Sequence, residues 1–240
     1  MAPPGSSGSL PPEGVRSVLR EAGRPLRLLQ RLFGAGRAAA SAHRWVVIDV
    51  ETSGLDVHRD RLLAIAAIAL RLDGDAMPQI ALGDSFEAVL RQHPAPADKG
   101  NILLHGIGVG EQCAGAPAAE ALTAFEQWLG AAPLIAFHAA FDQSMIARAM
   151  KDVLGRTLTN PWLDLEPVAD VLHPGLDGHA LDDWLTHFDI ECAVRHQAAA
   201  DTLATAELLQ RLWPAARSQR STTFTRLRQV ADQRRWLAKR

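Results

Sequence analysis

WVVIDV (residues 45–50), followed at once by Glu51, is the stretch on which the reading of the fold turns. Trp45, Val46, Val47, Ile48 and Val50 are apolar and mostly β-branched, the composition of a short strand buried inside a sheet. An extended chain points alternate side chains to opposite faces. Asp49 and Glu51, which flank Val50, therefore emerge on one face at the end of that strand. Two carboxylates set side by side there repel each other and are costly to desolvate unless a cation neutralises them. The plainer alternative is that the strand ends at this point and both acids are solvated.

Working outward, LLAIAAIAL (62–70) reads as a second buried strand, and SFEAVLR (85–91) alternates as a third strand should. Pro117 to Leu129 has helical spacing with proline in its opening turn. LIAFH (134–138) reads as a fourth strand, followed by a helix from Asp142 to Leu154, and WLDL (162–165) as a short fifth strand. Helices fit 179–187 and 197–213. Strands in a run, then alternating with helices, imply an α/β domain with a mixed sheet over 45–213. There is no internal repeat and no glycine-rich phosphate loop. On either side, residues 1–14 are rich in Pro, Gly and Ser and are expected to be disordered. Residues 15–44 form a basic amphipathic helical extension with Val15, Leu19, Leu26, Leu29 and Phe33 near helical spacing, and 214–240 form a basic helical tail. An organellar transit peptide is a competing reading of the Arg-rich extension.

Composition bounds the possibilities. The 240 residues are 48% hydrophobic, ample for a core, and the two cysteines, Cys113 and Cys192, are too few and too far apart for a disulfide framework or a zinc cluster. No apolar run approaches the roughly 20 residues needed to cross a bilayer. The expectation is a soluble, cytoplasmic protein with no membrane partner. The net charge of −2 conceals a division. Residues 1–44 hold seven Arg against two Glu, and residues 211–240 hold nine Lys and Arg against one Asp. The span between them holds nine basic and 24 acidic residues. So acidic a domain repels a polyanion unless metal ions sit among its carboxylates, and the basic ends would supply attraction to phosphates. Solvated helical surfaces are the ordinary alternative for such charge runs.

Three further residues bear on chemistry. Asp142 follows the fourth strand at the start of a helix, where a carboxylate also serves as an N-terminal cap. Asp201 lies in a run of alanines, HQAAAD (196–201), whose small side chains permit close approach. His196 precedes it by five positions, so the two converge only if His196 stands at or before the helix start. Each is an unremarkable surface residue when taken singly.

Taken together, VVIDVETSGL (46–55), LIAFHAAFD (134–142) and HQAAAD (196–201) resemble, in order and spacing, the three motifs of the DEDDh, or DnaQ-like, 3'–5' exonucleases. That family includes the proofreading subunit of the bacterial replicative DNA polymerase and the oligoribonucleases. DRLLAIAAIAL (60–70) and HGIG (105–108) resemble its second strand and its His-Gly-Ile element, and the resemblance covers about residues 45–213. It implies a ribonuclease H-like fold with a five-stranded mixed β-sheet flanked by α-helices. It implies metal ligation by Asp49, Glu51, Asp142 and Asp201, with His196 as general base. Thr52, Leu55, His105, Phe141 and His138 would line the pocket of the terminal nucleotide, Phe141 or Leu55 acting as a buried wedge. His138 stands where the family usually has Asn, so altered substrate handling is expected. The cofactors would be two divalent metal ions, Mg²⁺ or Mn²⁺. The partners would be nucleic acid with a free 3' end, single-stranded DNA foremost, and a DNA polymerase or sliding clamp; QRLF (30–33) bears a faint likeness to a sliding-clamp peptide, with part of the amphipathic helix as its ordinary reading. An RNA-directed exoribonuclease and a non-catalytic scaffold of the same fold are the alternatives.

Overall fold

A computed structural model describes residues 43–93, 99–176 and 179–237, so the expectations for residues 1–42, QRLF included, lie outside it. Five strands form one sheet in the order β3-β2-β1-β4-β5: β1 (Arg44–Thr52), β2 (Leu62–Arg71), β3 (Gln79–Val89), β4 (Leu134–Ala136) and β5 (Trp162–Asp164). β1 pairs antiparallel with β2 and parallel with β4, so the sheet is mixed, as the sequence implies. β1 takes the centre because its apolar residues face a helical layer on either side. Trp45 and Val47 enter one layer of the core, while Val46, Ile48 and Val50 enter the other. Asp49 and Glu51 continue the face of Trp45 and Val47 past the point where that face stops being apolar.

The connecting helices are α1 (Lys99–His105), α2 (Val109–Ala114), α3 (Ala118–Leu129), α4 (Ala139–Leu154), α5 (Leu165–Leu172), α6 (Leu181–His187), α7 (Ala198–Ser218) and α8 (Phe224–Leu237). Phe125 and Leu129 of α3 and Met145 and Met150 of α4 pack against Val46, Ile48 and Val50. Val168 of α5, Trp184 of α6, Leu208, Leu212 and Trp213 of α7 and Leu227 of α8 pack on the opposite face. Among the described residues, no helix is long and apolar enough to cross a membrane.

Four expectations are corrected. The third strand begins at Gln79 instead of Ser85, and its register slips between Ile68 and Ala69 of β2, so residues 82–84 bulge and break the alternation that marks a strand in sequence. α1, α2 and α5 were not anticipated, being only six to eight residues long. The helix after β4 starts at Ala139, with His138 and not Asp142 at its cap. The expected boundary at 213/214 falls inside α7, which continues through Pro214 to Ser218, and the tail is no single helix from Ser218. A turn separates α7 from α8, and α8 returns to the core: Trp45 holds Trp213 and Phe224 edge-on at 6.0 and 5.4 Å, and Leu227 and Val230 are buried.

Because Leu227 is enclosed, Leu227→Ala should cost about 2–4 kcal/mol of folding stability in urea titration. A detached solvated tail would instead register a change within about 0.5 kcal/mol.

Candidate active site

The three segments singled out in sequence converge at one end of the sheet. Asp49 sits opposite Ala66 of β2 and Glu51 opposite Ala64, with a bulge following at Thr52. α7 crosses this end of the sheet, and its close approach rests on small residues: Ala198 is buried, and Ala64 and Ala66 form the floor. The Thr202 hydroxyl donates to the carbonyl of Ala66 at 3.2 Å, which pins α7 to the strand position paired with Asp49. Asp201, the preceding residue, is thereby buried beside Asp49, close enough for their charges to interact. The carboxylate of Glu51 accepts the backbone N–H of Ala198 in the first turn of α7. Asp142 arrives from the other side. β4 stops at Ala136, its pairing with β1 reaching only Val47, and Asp142 accepts the N–H of Val50 beyond the end of that ladder.

Each helix that carries an acid starts from a histidine in the left-handed region, His138 at φ 60° before α4 and His196 at φ 62° before α7. A non-glycine residue held there stores strain that the surroundings must offset. For His196 the offset is its N–H, which donates to Asp201 Oδ2 at 3.1 Å. His196 thus lies before the helix start, and it is exposed. This is the placement that a five-residue spacing to Asp201 requires.

The expected pocket residues divide. Thr52 is buried, with its hydroxyl on the carbonyl of Gly54 at 2.7 Å and its own carbonyl accepting from the Asn101 side chain at 2.7 Å. Phe141 is half-buried against the layer that holds Val50. Leu55 is 86% exposed, so the expected buried wedge is corrected: it projects from the loop between β1 and β2 into solvent. That loop is braced from within. Asp60 accepts from the Ser53 hydroxyl and the Asp56 N–H at 2.9 and 2.8 Å, and a Cβ on Gly54 would lie 2.5 Å from the Asp60 carboxylate. Arg148 of α4 ties the loop down at the His58 and Asp60 carbonyls. His105 is buried, with Nδ1 accepting from the Ile107 N–H at 2.9 Å. His138 turns elsewhere: its N–H donates to Asp164 Oδ1 at 3.0 Å, and its Nε2 lies 2.9 Å from the His179 carbonyl and 3.7 Å from Glu166.

That second group was not singled out in sequence. Glu166, Asp170 and His179 bring their ligand-type atoms within 4.8 Å of one another. Arg234 of α8 ion-pairs with both carboxylates at 2.7 Å, so its charge is already answered by protein. Arg195, Thr202, Asp182 and Asn101 were also missed. The one signal available for any of them was adjacency, Arg195 to His196 and Thr202 to Asp201.

Electrostatics sets the converged acids apart. Burial, then the Asp201 carboxylate, push the Asp49 carboxyl up from 3.8 to about 8, with Arg195 opposing. Burial, then Asp49 and Asp201, push Glu51 up from 4.5 to about 8 against the Ala198 N–H and Arg195. Burial and then Asp49 raise Asp142 well above the ordinary carboxylate range, its own N–H and that of Val50 pulling the other way. An all-carboxylate donor set fits a hard divalent cation, Mg²⁺ or Mn²⁺, better than a soft one, and a bound cation would offset the burial and repulsion that resist ionisation of Asp49, Glu51 and Asp142.

The sign of the stability effect follows. For Asp49 and Glu51 the folded chain holds protons that the unfolded chain has released between about pH 4 and 8, so their contribution to stability is lost as pH rises through that window. A divalent cation binds the ionised forms, so the melting-temperature rise from added Mg²⁺ should be larger at about pH 8.5 than at about pH 5, and Asp49→Asn should flatten the metal-free decline. A rise independent of pH would contradict the carboxylate assignment.

Residues 46–209 match the family model described as "Exonuclease". Among curated proteins, the chain is 34% identical over 206 residues to the DNA polymerase III subunit epsilon-like protein of Rhodobacter capsulatus, covering 80% of this chain and 28% of that protein. It is 31% identical over 182 residues to the PolC-type DNA polymerase III of Bacillus subtilis, covering 75% of this chain and 12% of that protein. The chain therefore spans only a minor part of these relatives. Among solved structures, E. coli exonuclease I in complex with a dT13 oligonucleotide superposes with a TM-score of 0.62 at 18% identity, covering 74% of this chain and 42% of that one. At that identity the likeness speaks for the ribonuclease H-like fold alone. With the family model matched across the central sheet and all three converging segments, this chain belongs to the exonuclease family, as a DnaQ-like member.

Proposed function

We propose that this chain is a metal-dependent 3'–5' exonuclease that hydrolyses the terminal phosphodiester of single-stranded nucleic acid, DNA foremost, and releases nucleoside 5'-monophosphates. The observation that carries the reading is the convergence of β1, α4 and α7, which sets Asp49, Glu51, Asp142 and Asp201 near enough for their charges to interact. Asp49, Glu51, Asp142 and Asp201 hold the metal ions. When bound, two Mg²⁺ or Mn²⁺ ions supply the charge that stabilises negative charge growing on the attacking and leaving oxygens.

The protein's own groups do the rest. His196, exposed just before the start of α7, takes the proton of the attacking water on its imidazole. Asp201 holds the His196 backbone, so ligand and base are positioned as one unit. Leu55, projecting from a braced loop, is placed to press against the terminal base, and half-buried Phe141 offers a surface for stacking. Thr52 and His105 shape the pocket near the end of β1. His138 is committed to the His179 carbonyl and Glu166, which supports a handling of the strand unlike that of relatives with Asn there. The likeness to polymerase III proteins supports a polymerase or its sliding clamp as docking partner.

The test is a timed digestion of 5'-labelled single-stranded DNA and RNA of one sequence with Mg²⁺, Mn²⁺ or EDTA. A ladder shortening from the 3' end, abolished by EDTA and faster on DNA, is expected; faster RNA digestion would reassign the substrate. Asp49→Ala and Asp201→Asn should each lower the rate by about 10²-fold or more, and His196→Ala by about 10²–10⁴-fold, with folding retained. Undiminished cleavage by either aspartate variant would overturn the reading.

A further inference from the structure

Arg195 belongs to none of the expected site residues, yet among the described residues its guanidinium is the cationic side chain bonded to the acidic group. One arm ion-pairs with Asp201 Oδ1. The opposite edge grips Asp182 of α6, Nε at 2.5 Å from Oδ1 and Nη2 at 3.3 Å from Oδ2. The other oxygen of Asp201 accepts the His196 N–H, and Cys192 Sγ lies 3.5 Å from Oδ1. Both Asp201 oxygens are thus engaged, one of them by a full positive charge. The arginine is only 25% exposed and stands between two aspartates, one inside the site and one at its rim, the latter 58% exposed. A planar fork can grip one carboxylate along its edge while pairing with a second, a geometry that the compact ammonium of lysine does not offer.

We propose that Arg195 is the built-in counter-ion of Asp201: it holds the carboxylate until a divalent cation binds, then pivots on Asp182 to release it, and so sets the metal affinity of the site. This rests on the reading of Asp201 as a metal ligand. An incoming cation must displace the arginine from Asp201 and then tolerate its charge nearby. Both demands weaken metal binding, and the burial that makes the acids repel each other keeps the competition strong. Asp182 gives the displaced guanidinium a partner at the rim, so release needs only a side-chain rotation.

The experiment is calorimetric titration of Mn²⁺ into the full-length wild type, Arg195→Gln, Arg195→Lys and Asp201→Asn, with circular dichroism as the check on folding. Arg195→Gln should bind Mn²⁺ about tenfold tighter than the wild type, as expected for loss of one ion pair that competes with the cation. Its metal-free melting temperature should fall and its Mn²⁺-induced rise should grow. Arg195→Lys, which cannot span both aspartates, should bind with intermediate affinity, and it carries the test if the glutamine variant fails to fold. Mn²⁺ affinity unchanged or weakened in the folded arginine variants, with binding abolished by Asp201→Asn, would overturn the counter-ion role alone. Mn²⁺ binding absent from the wild type, or untouched by Asp201→Asn, would overturn the metal-ligand reading and this proposal with it.

Discussion

The desolvation and mutual repulsion of carboxylates that the fold brings together at one end of the sheet are the constraint on which the rest of the structure depends. Two such charges about 4 Å apart at an effective dielectric near 20 repel by about 4 kcal/mol, a large share of the stability of an ordinary domain. Asp49 and Glu51 cannot part because strand geometry places them on one face. Asp201 cannot withdraw because the Thr202 hydroxyl fastens its helix to Ala66. Asp142 is held by the N–H of Val50. Among the described residues the opposing attractions are the backbone N–H groups of Ala198, Val50, Asp142 and His196, together with Arg195.

Helix starts do much of the positioning. α4 and α7 each leave a histidine in the left-handed region, and in each case a carboxylate accepts that histidine's N–H: Asp164 for His138, Asp201 for His196. The strained backbone is thereby answered by an acid. At His196 the same hydrogen bond ties the histidine to an acid of the converged group. At His138 it ties the start of the helix carrying Asp142 to β5 and to the Glu166 group beyond, where Arg234 of α8 closes the arrangement. The C-terminal helix is thus packed through Leu227 and Val230 and charge-paired through Arg234, and its exposed Arg226 and Arg228 remain on the outer face. Of the two readings that the basic tail admitted, solvated helical face and phosphate attractor, α8 adds a third use for its charge: holding α5 in place.

How much could be read from the chain varied with how local the cause was. β1, β2, β4 and β5 were legible because buried apolar runs bounded by polar residues have few other uses. The third strand was misplaced because its bulge at 82–84 depends on the partner strand, which leaves no mark on its own sequence. α1, α2 and α5 escaped notice because one or two turns show no periodicity. The wedge role that the family resemblance implies for Leu55 or Phe141 carries no information on burial, and Leu55 lies exposed on a loop whose bracing by Asp60 and Arg148 comes from contacts with a distant helix and within the loop. The carboxylates and His196 were visible through the order and spacing of three motifs; Arg195 and Thr202 were not, because their roles are contacts between segments remote in sequence or between a loop and a helix.

The sequence by itself determined the sheet-forming runs, the shared face of Asp49 and Glu51, and the requirement that His196 precede the helix bearing Asp201. These follow from backbone periods of two and 3.6 residues, which act over a few positions. Only the tertiary structure decided that the three acidic segments meet, that burial raises the carboxyls of Asp49, Glu51 and Asp142, that Arg195 bridges Asp182 to Asp201, and that the C-terminal helix belongs to the core. The physical reason is that desolvation and Coulomb interaction depend on distances through space, and those exist only once the chain has closed on itself.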